Sequence, residues 1–168
     1  RKGRYLFTFF INISAGVGGK CSMEGKRLTS YAMEELECPK CGHKHSLKKY
    51  KVINVTEKAK LKEEIMKNRL YQFSCEECEY MAPLTYDSLY VDSRKNIMIY
   101  MAPVMNAEIK AEIAELEQEK GIDKRLVDNI NDLKEKIMIV DNHLDDRVIE
   151  LIKIMYLDQI KKEMEDDT

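Results

Sequence analysis

The stretch Cys38-Pro39-Lys40-Cys41-Gly42, with its counterpart Cys75-Glu76-Glu77-Cys78-Glu79, decides how this chain is read. In a C-x-x-C pair one tight turn presents two sulfurs to a single point. Two such turns brought face to face supply four thiolates, the closed donor set of a structural Zn²⁺ site. Pro39 fixes φ after the first ligand, and Gly42 can take the positive φ that turns backbone N–H groups towards sulfur. The second turn has Glu79 where the first has glycine, which predicts a more open or more strained turn. The metal ligands are therefore read as Cys38, Cys41, Cys75 and Cys78, with no coordination position left for a water. The 33 residues between Cys41 and Cys75 exceed the usual gap of a short two-knuckle site, so an insertion is required. Its entropic cost is small, about 0.6 kcal/mol for each doubling of a loop.

Other uses of paired cysteines fit less well. A thioredoxin-type pair would open a helix inside a βαβ unit, and neither pair does. A zinc deaminase would need H-x-E and P-C-x-x-C, whereas the order here is Cys38-Pro39 and no His-x-Glu occurs. Two disulfides would suit an extracellular chain. Cys21 is unassigned. His43 and His45 are read as surface residues on the strand leaving the first turn, and His143 as a solvated helix-end histidine.

Working outward, His45 to Val55 reads as a Lys-rich strand. Thr56 is expected to cap a helix through Arg69, with Leu61, Ile65 and Met66 as its stripe; this is the insertion. Leu70 to Ser74 reads as a strand delivering Cys75, and Tyr80 to Pro83 as its return. Ser88–Val91 and Ile97–Met101 flank Asp92-Ser93-Arg94-Lys95-Asn96 as a hairpin, and Pro103 closes the strand-rich part. Asn106 is expected to cap a helix to Lys120 that Gly121 ends, followed by a short extended piece at Arg125-Leu126-Val127. Leu133, Ile137, Val140 and Leu144 recur at helical spacing. Asp145 is expected to cap a last helix whose stripe, Val148, Leu151, Ile152, Met155 and Ile160, reads as packing between helices. Glu163 to Thr168 reads as an acidic tail.

The fold class is thus α+β: a zinc-ribbon-like antiparallel β part with an inserted helix, followed by a C-terminal helical region. Residues 1–30 read as an extension outside the fold, with Met23 or Met33 as the functional start and residues 1–22 loosely attached. Residues 34–104 read as the cysteine domain, with the inserted helix over 57–69, and residues 105–168 as helices packed on it. The uncharged run Tyr5–Gly19 is shorter than the roughly 20 apolar residues a bilayer span needs.

The chain resembles the prokaryotic CpXC-domain proteins. Cys38-Pro39-Lys40-Cys41 spells the motif, and Phe73-Ser74-Cys75-Glu76-Glu77-Cys78, Ile97-Met98-Ile99-Tyr100 and Asn142-His143-Leu144-Asp145-Asp146-Arg147-Val148-Ile149-Glu150-Leu151 agree further. The likeness spans about Leu36 to Lys161. It implies a bacterial, zinc-ribbon-like domain held by four cysteines, with no established activity. Glu79 departs from the glycine common after the second pair in that family.

Composition narrows the function. Of 168 residues 44% are hydrophobic and 35% charged, with 28 Lys+Arg against 30 Asp+Glu. That supports a core and excludes wholesale disorder. Residues 1–70 carry 16 basic and 7 acidic residues (+9), and residues 71–168 carry 12 and 23 (−11), which together recover −2. One reading is a protein-interaction or regulatory adaptor whose acidic helices bind a partner or self-associate. The alternative is a nucleic-acid-binding ribbon, in which Lys44, Lys48, Lys49, Tyr50 and Lys51, with Lys58, Lys60, Lys62, Lys67 and Arg69, track phosphates. No glycine-rich phosphate loop, G-x-S-x-G or H-E-x-x-H is present, so no enzyme is expected. Thiolate ligands persist where thiols stay reduced, which predicts a cytoplasmic protein, and a surface this heavily charged predicts no membrane association.

Overall fold

The computed structural model describes residues 27–166. Cys21 and the segment 1–22 lie outside the described residues. Seven strands and four helices follow in order: β1 Ser30–Glu37, β2 Lys44–Asn54, α1 Lys60–Met66, a single 3₁₀ turn at Arg69–Tyr71, β3 Gln72–Ser74, β4 Met81–Pro83, β5 Ser88–Asp92, β6 Ile97–Met101, α2 Ala107–Glu117, β7 Asp123–Val127, α3 Ile130–Asp141 and α4 Asp146–Asp166. The class is α+β.

Five strands form one sheet in the order β1-β2-β5-β6-β7, and β3 and β4 form a separate hairpin. The expected all-antiparallel β part is corrected here, because β2 pairs with β5 and β6 with β7 in parallel. Both parallel pairings follow from crossovers. The chain leaves β2, makes α1 and the β3–β4 hairpin, and returns as β5. It later leaves β6 and returns through α2 as β7. The insertion between the cysteine pairs is therefore a crossover that carries the second pair with it.

β5 and β6 are buried along their whole length, the pattern of strands covered on both faces. On one face Leu89, Val91, Met98, Tyr100 and Ala102 join Ile109 and Leu116 of α2, with Val52, Ile113, Ile122 and Leu126 at the rim. α2 is capped as expected, the Asn106 side chain accepting the Ile109 N–H at 2.8 Å, but it ends at Glu117 rather than at Lys120. Gly121 follows with φ +76°.

Two expectations fail for non-local reasons. Thr56 does not cap α1, which begins at Lys60 after Ala59 with no side-chain cap. The Thr56 hydroxyl instead accepts the Ser93 N–H at 2.8 Å, fastening the end of β2 to the β5–β6 turn. α1 then ends early, at Met66, and Asn68 follows with φ +62°. Residues 27–30, assigned to an extension, belong to the fold: the Arg27 carbonyl accepts from Asn54 Nδ2 at 2.8 Å and the Thr29 N–H donates to Glu57 at 2.9 Å.

The chain divides into two compact units between Lys134 and Glu135, inside α3, rather than near residue 104. The sheet does not end at Pro103, because α2 and β7 continue it. In the second unit the end of α3 turns through His143. The Leu144 N–H reaches Ile139 O at 2.9 Å and the His143 N–H reaches Val140 O at 3.3 Å, a Schellman closure with His143 exposed at φ +54°. Asp145 caps α4 as expected, accepting the Arg147 N–H at 2.8 Å. The Arg147 side chain and N–H hold its carboxyl down at about 2. Most of the expected packing stripe of α4 is not packed: Val148, Leu151, Ile152 and Met155 are each more than half exposed, while Ile160 is half-buried. Among the described residues no helix is long and apolar enough to cross a membrane.

Candidate metal centre

Each cysteine pair sits in the turn of its own hairpin, and the two turns are built alike. The Cys38 N–H donates to His43 O and the Gly42 N–H to Cys38 O, both at 2.8 Å. In the second turn the Cys75 N–H donates to Tyr80 O at 2.8 Å and the Glu79 N–H to Cys75 O at 3.0 Å. The same pattern needs a left-handed residue at the fourth position. Gly42 holds φ +73° and Glu79 φ +56°. Asn tolerates that region and glycine does so freely, but glutamate does not. Glu79 is thus the strained member, as the missing glycine predicts. Glu79→Gly is expected to stabilise the metal-loaded protein by about 1 kcal/mol, with Glu79→Asn in between. Thermal melting checks this, and a lower melting temperature for Glu79→Gly would contradict it.

The crossover brings the turns together. Cys38 Sγ lies 3.6 Å from Cys78 Sγ, and Cys41 Sγ lies 3.6 Å from Cys75 Sγ. All four sulfurs lie within 4.8 Å of one another, so they could hold one metal ion. Cys38 and Cys75 are buried and Cys41 faces out. Phe73 forms one buried cluster with Cys38 and Cys75, and Leu36, Leu47, Tyr80, Ala82 and Leu84 pack against it.

The protonation of this cluster explains what it requires. Burial pushes the Cys38 thiol up, but the N–H groups of Cys41 and Lys40 and the sulfurs of Cys41 and Cys78 outweigh it, leaving it at about 7. Cys41 takes the His43 N–H, yet desolvation and the other three sulfurs push it up to about 12. Desolvation raises Cys78 as well. The protein's own dipoles thus favour one thiolate and resist the next. Four thiolates this close need a cation between them, and thiolate donors suit a soft or borderline metal.

His45 is the residue that the sequence reading misplaces. It is half-buried, with Nε2 3.1 Å from Cys75 Sγ and its ring edge-on to Phe73 at 5.5 Å. In the tautomer that carries its proton on Nε2, the ring donates to the Cys75 sulfur, the outer-shell support common around metal ligands. The signal was available in strand alternation, since His45 shares a β2 face with the half-buried Leu47. His43 is exposed and stacks at 4.8 Å on His45.

Of the proposed phosphate-tracking residues, Lys44, Lys48, Lys49, Tyr50 and Lys51 fall on β2, and three of these, Lys44, Lys49 and Lys51, stand beside an acidic residue. Lys44 stands opposite Glu37 on β1. Lys48 Nζ lies 5.0 Å over the Tyr31 ring, and Tyr50 packs against the same ring at 5.7 Å. Lys49 pairs with Glu34 at 2.6 Å. Lys51, the extra residue of a bulge opposite Ser30/Tyr31, pairs with Asp87 at 2.8 Å. In the insertion Lys58, Lys67 and Arg69 pair with Glu57, Glu63 and Glu64.

Comparison with curated proteins and comparison with solved structures each found no match. A family model described as CpXC protein matches residues 36–153, which include both cysteine turns, the whole central hairpin and the start of α4. With more than half its length matched, the chain belongs to the CpXC family.

Proposed function

We propose that the four cysteines hold a structural Zn²⁺ and that the protein works as a protein-interaction or regulatory adaptor in the bacterial cytoplasm. The observation that carries this is the donor set: four sulfurs close a tetrahedral shell and leave no position at which water or substrate could be activated. Among the described residues no other cluster of His, Cys, Asp and Glu is close enough to hold an ion. The ion's part is to fasten two hairpin turns; the surrounding chain supplies the surfaces.

A second reading, single-stranded nucleic-acid binding, is favoured by a cleft of about 350 Å³ lined by Lys48, Tyr50 and Arg69 with Met33, Leu47 and Leu70. The acidic partners of β1 weigh against it, because they offset the charge that phosphate tracking needs. Elemental analysis of the purified protein is expected to find one zinc per chain. Heparin retention is expected to end at low salt. Iron in place of zinc overturns the metal assignment. Retention to high salt that is lost in a Lys48→Ala/Lys49→Ala/Lys51→Ala variant overturns the adaptor in favour of the second reading.

A further inference from the structure

The two cysteine hairpins match in strand register as well as in their turns. Leu36, two residues before Cys38, pairs with His45, and Phe73, two residues before Cys75, pairs with Ala82. His45 and Ala82 therefore hold the same place, each the seventh residue after the first cysteine of its pair. One place carries an imidazole and the other only a methyl group. The centre repeats its sulfurs but not what stands behind them.

The imidazole reaches across the centre. His45 belongs to the first hairpin, yet its Nε2 lies 3.1 Å from the sulfur of Cys75 in the second. The ring is held by its neighbours, edge-on to the buried Phe73 at 5.5 Å and against His43 at 4.8 Å. A thiolate can only accept, so beside a loaded centre the favoured tautomer carries its proton on Nε2. Cys75 is buried, which keeps water from competing for its sulfur, and a hydrogen bond to a charged acceptor is among the stronger ones. Four sulfurs already complete the shell, so the ring acts on a ligand rather than as one. Sharing the charge of the sulfur with a ring proton makes it less reactive towards electrophiles and fixes the direction in which it faces the ion.

We infer that His45 is a positioning residue of the metal centre, its ring N–H fastening the Cys75 thiolate from the opposite hairpin, a support that Ala82 does not give in return. This rests on the structural-metal reading and deepens it by naming the side chain that helps to retain the ion. The full chain is loaded with Co²⁺, whose thiolate-to-metal charge-transfer band reports on the sulfur ligands, and separately with Zn²⁺ against a competing chelator. His45→Phe keeps an aromatic ring against Phe73 and removes the donor. It is expected to lower the Zn²⁺ affinity about tenfold to a hundredfold. The Co²⁺ band should move to longer wavelength, because a sulfur freed of its hydrogen bond gives up charge more easily. His45→Gln, whose side-chain N–H reaches a similar place, should recover most of the affinity and return the band. His45→Leu is read in the same way as His45→Phe and takes its place if the larger ring does not fit.

Donor-free variants with the affinity and the band of the original chain overturn the inference. So does an affinity lost equally in His45→Phe and His45→Gln with the band unmoved, the mark of lost packing rather than of a lost donor. A chain that takes up neither Co²⁺ nor Zn²⁺ sinks the metal reading and this inference together. A chain that binds both and is indifferent to the residue at 45 sinks this inference alone.

Discussion

Serine at Cys38 or Cys75, or removal of the metal by a chelator, is expected to melt the two cysteine hairpins and leave the central sheet folded. Without an ion the region around the sulfurs has little to hold it. Its buried residues are Phe73 and the two cysteines themselves, and β3 and β4 are three residues each, too short to stand as an isolated hairpin. Against that, a structural zinc contributes about 10–16 kcal/mol in small peptides, as much as the whole stability of an ordinary domain, about 5–15 kcal/mol. The β5–β6–α2 packing has its own apolar cluster, to which no cysteine contributes. Amide hydrogen exchange should therefore show protection lost over residues 36–48 and 70–84 and kept over 88–101. Unchanged exchange at the cysteine turns would mean that the metal is not what fastens them. Loss over the central sheet as well would mean that the two parts fold as one.

That split follows the line between what local sequence shows and what it hides. The cysteine pairs were legible because two sulfurs at C-x-x-C spacing impose a turn whatever surrounds them. The β5–β6 hairpin and the start of α2 were legible because Asp92–Asn96 and Asn106 act on their own neighbours. β1 was not. Ser30–Glu37 is an edge strand exposed along nearly its whole length, so no alternation of apolar and polar residues betrays it. The parallel pairings are settled by where a crossover returns, which no window of sequence contains. Thr56 misled because its competitor for the hydroxyl, the Ser93 N–H, is 37 residues away. The stripe of α4 was seen correctly as a stripe, but periodicity is the same whether a face is buried in its own chain or left for another.

Replacing Lys136 by methionine is expected to cost about 3–5 kcal/mol, the usual penalty for leaving a buried ion group without its partner. Lys136 is 2% exposed and its Nζ lies 3.2 Å from Asp146, itself 6% exposed, 2.9 Å from Glu150 and 3.3 Å from Glu135. Lys153 completes the cluster through Glu135 and Glu150. Burial alone would lower the Lys136 pKa, but Glu150 and Asp146 outweigh it and raise it, so the lysine is charged. Burial would raise Glu150, and the two lysines outweigh that and lower it. Methionine keeps the apolar stem, so what is lost is the charge, and three carboxylates are left around one lysine. The contribution of Lys136 is complete below the ordinary lysine pKa of about 10.4 and fades as pH rises through its elevated value. That of Glu150 is complete above about 4.3 and fades as pH falls through its lowered value. Between those limits, Lys136→Met should lower the melting temperature and speed amide exchange over residues 135–157. Lys136→Met/Asp146→Leu should recover part of the loss, since it removes the carboxylate left most deeply buried. A melting temperature unmoved by Lys136→Met would show that α4 is held to α3 by something other than these ions.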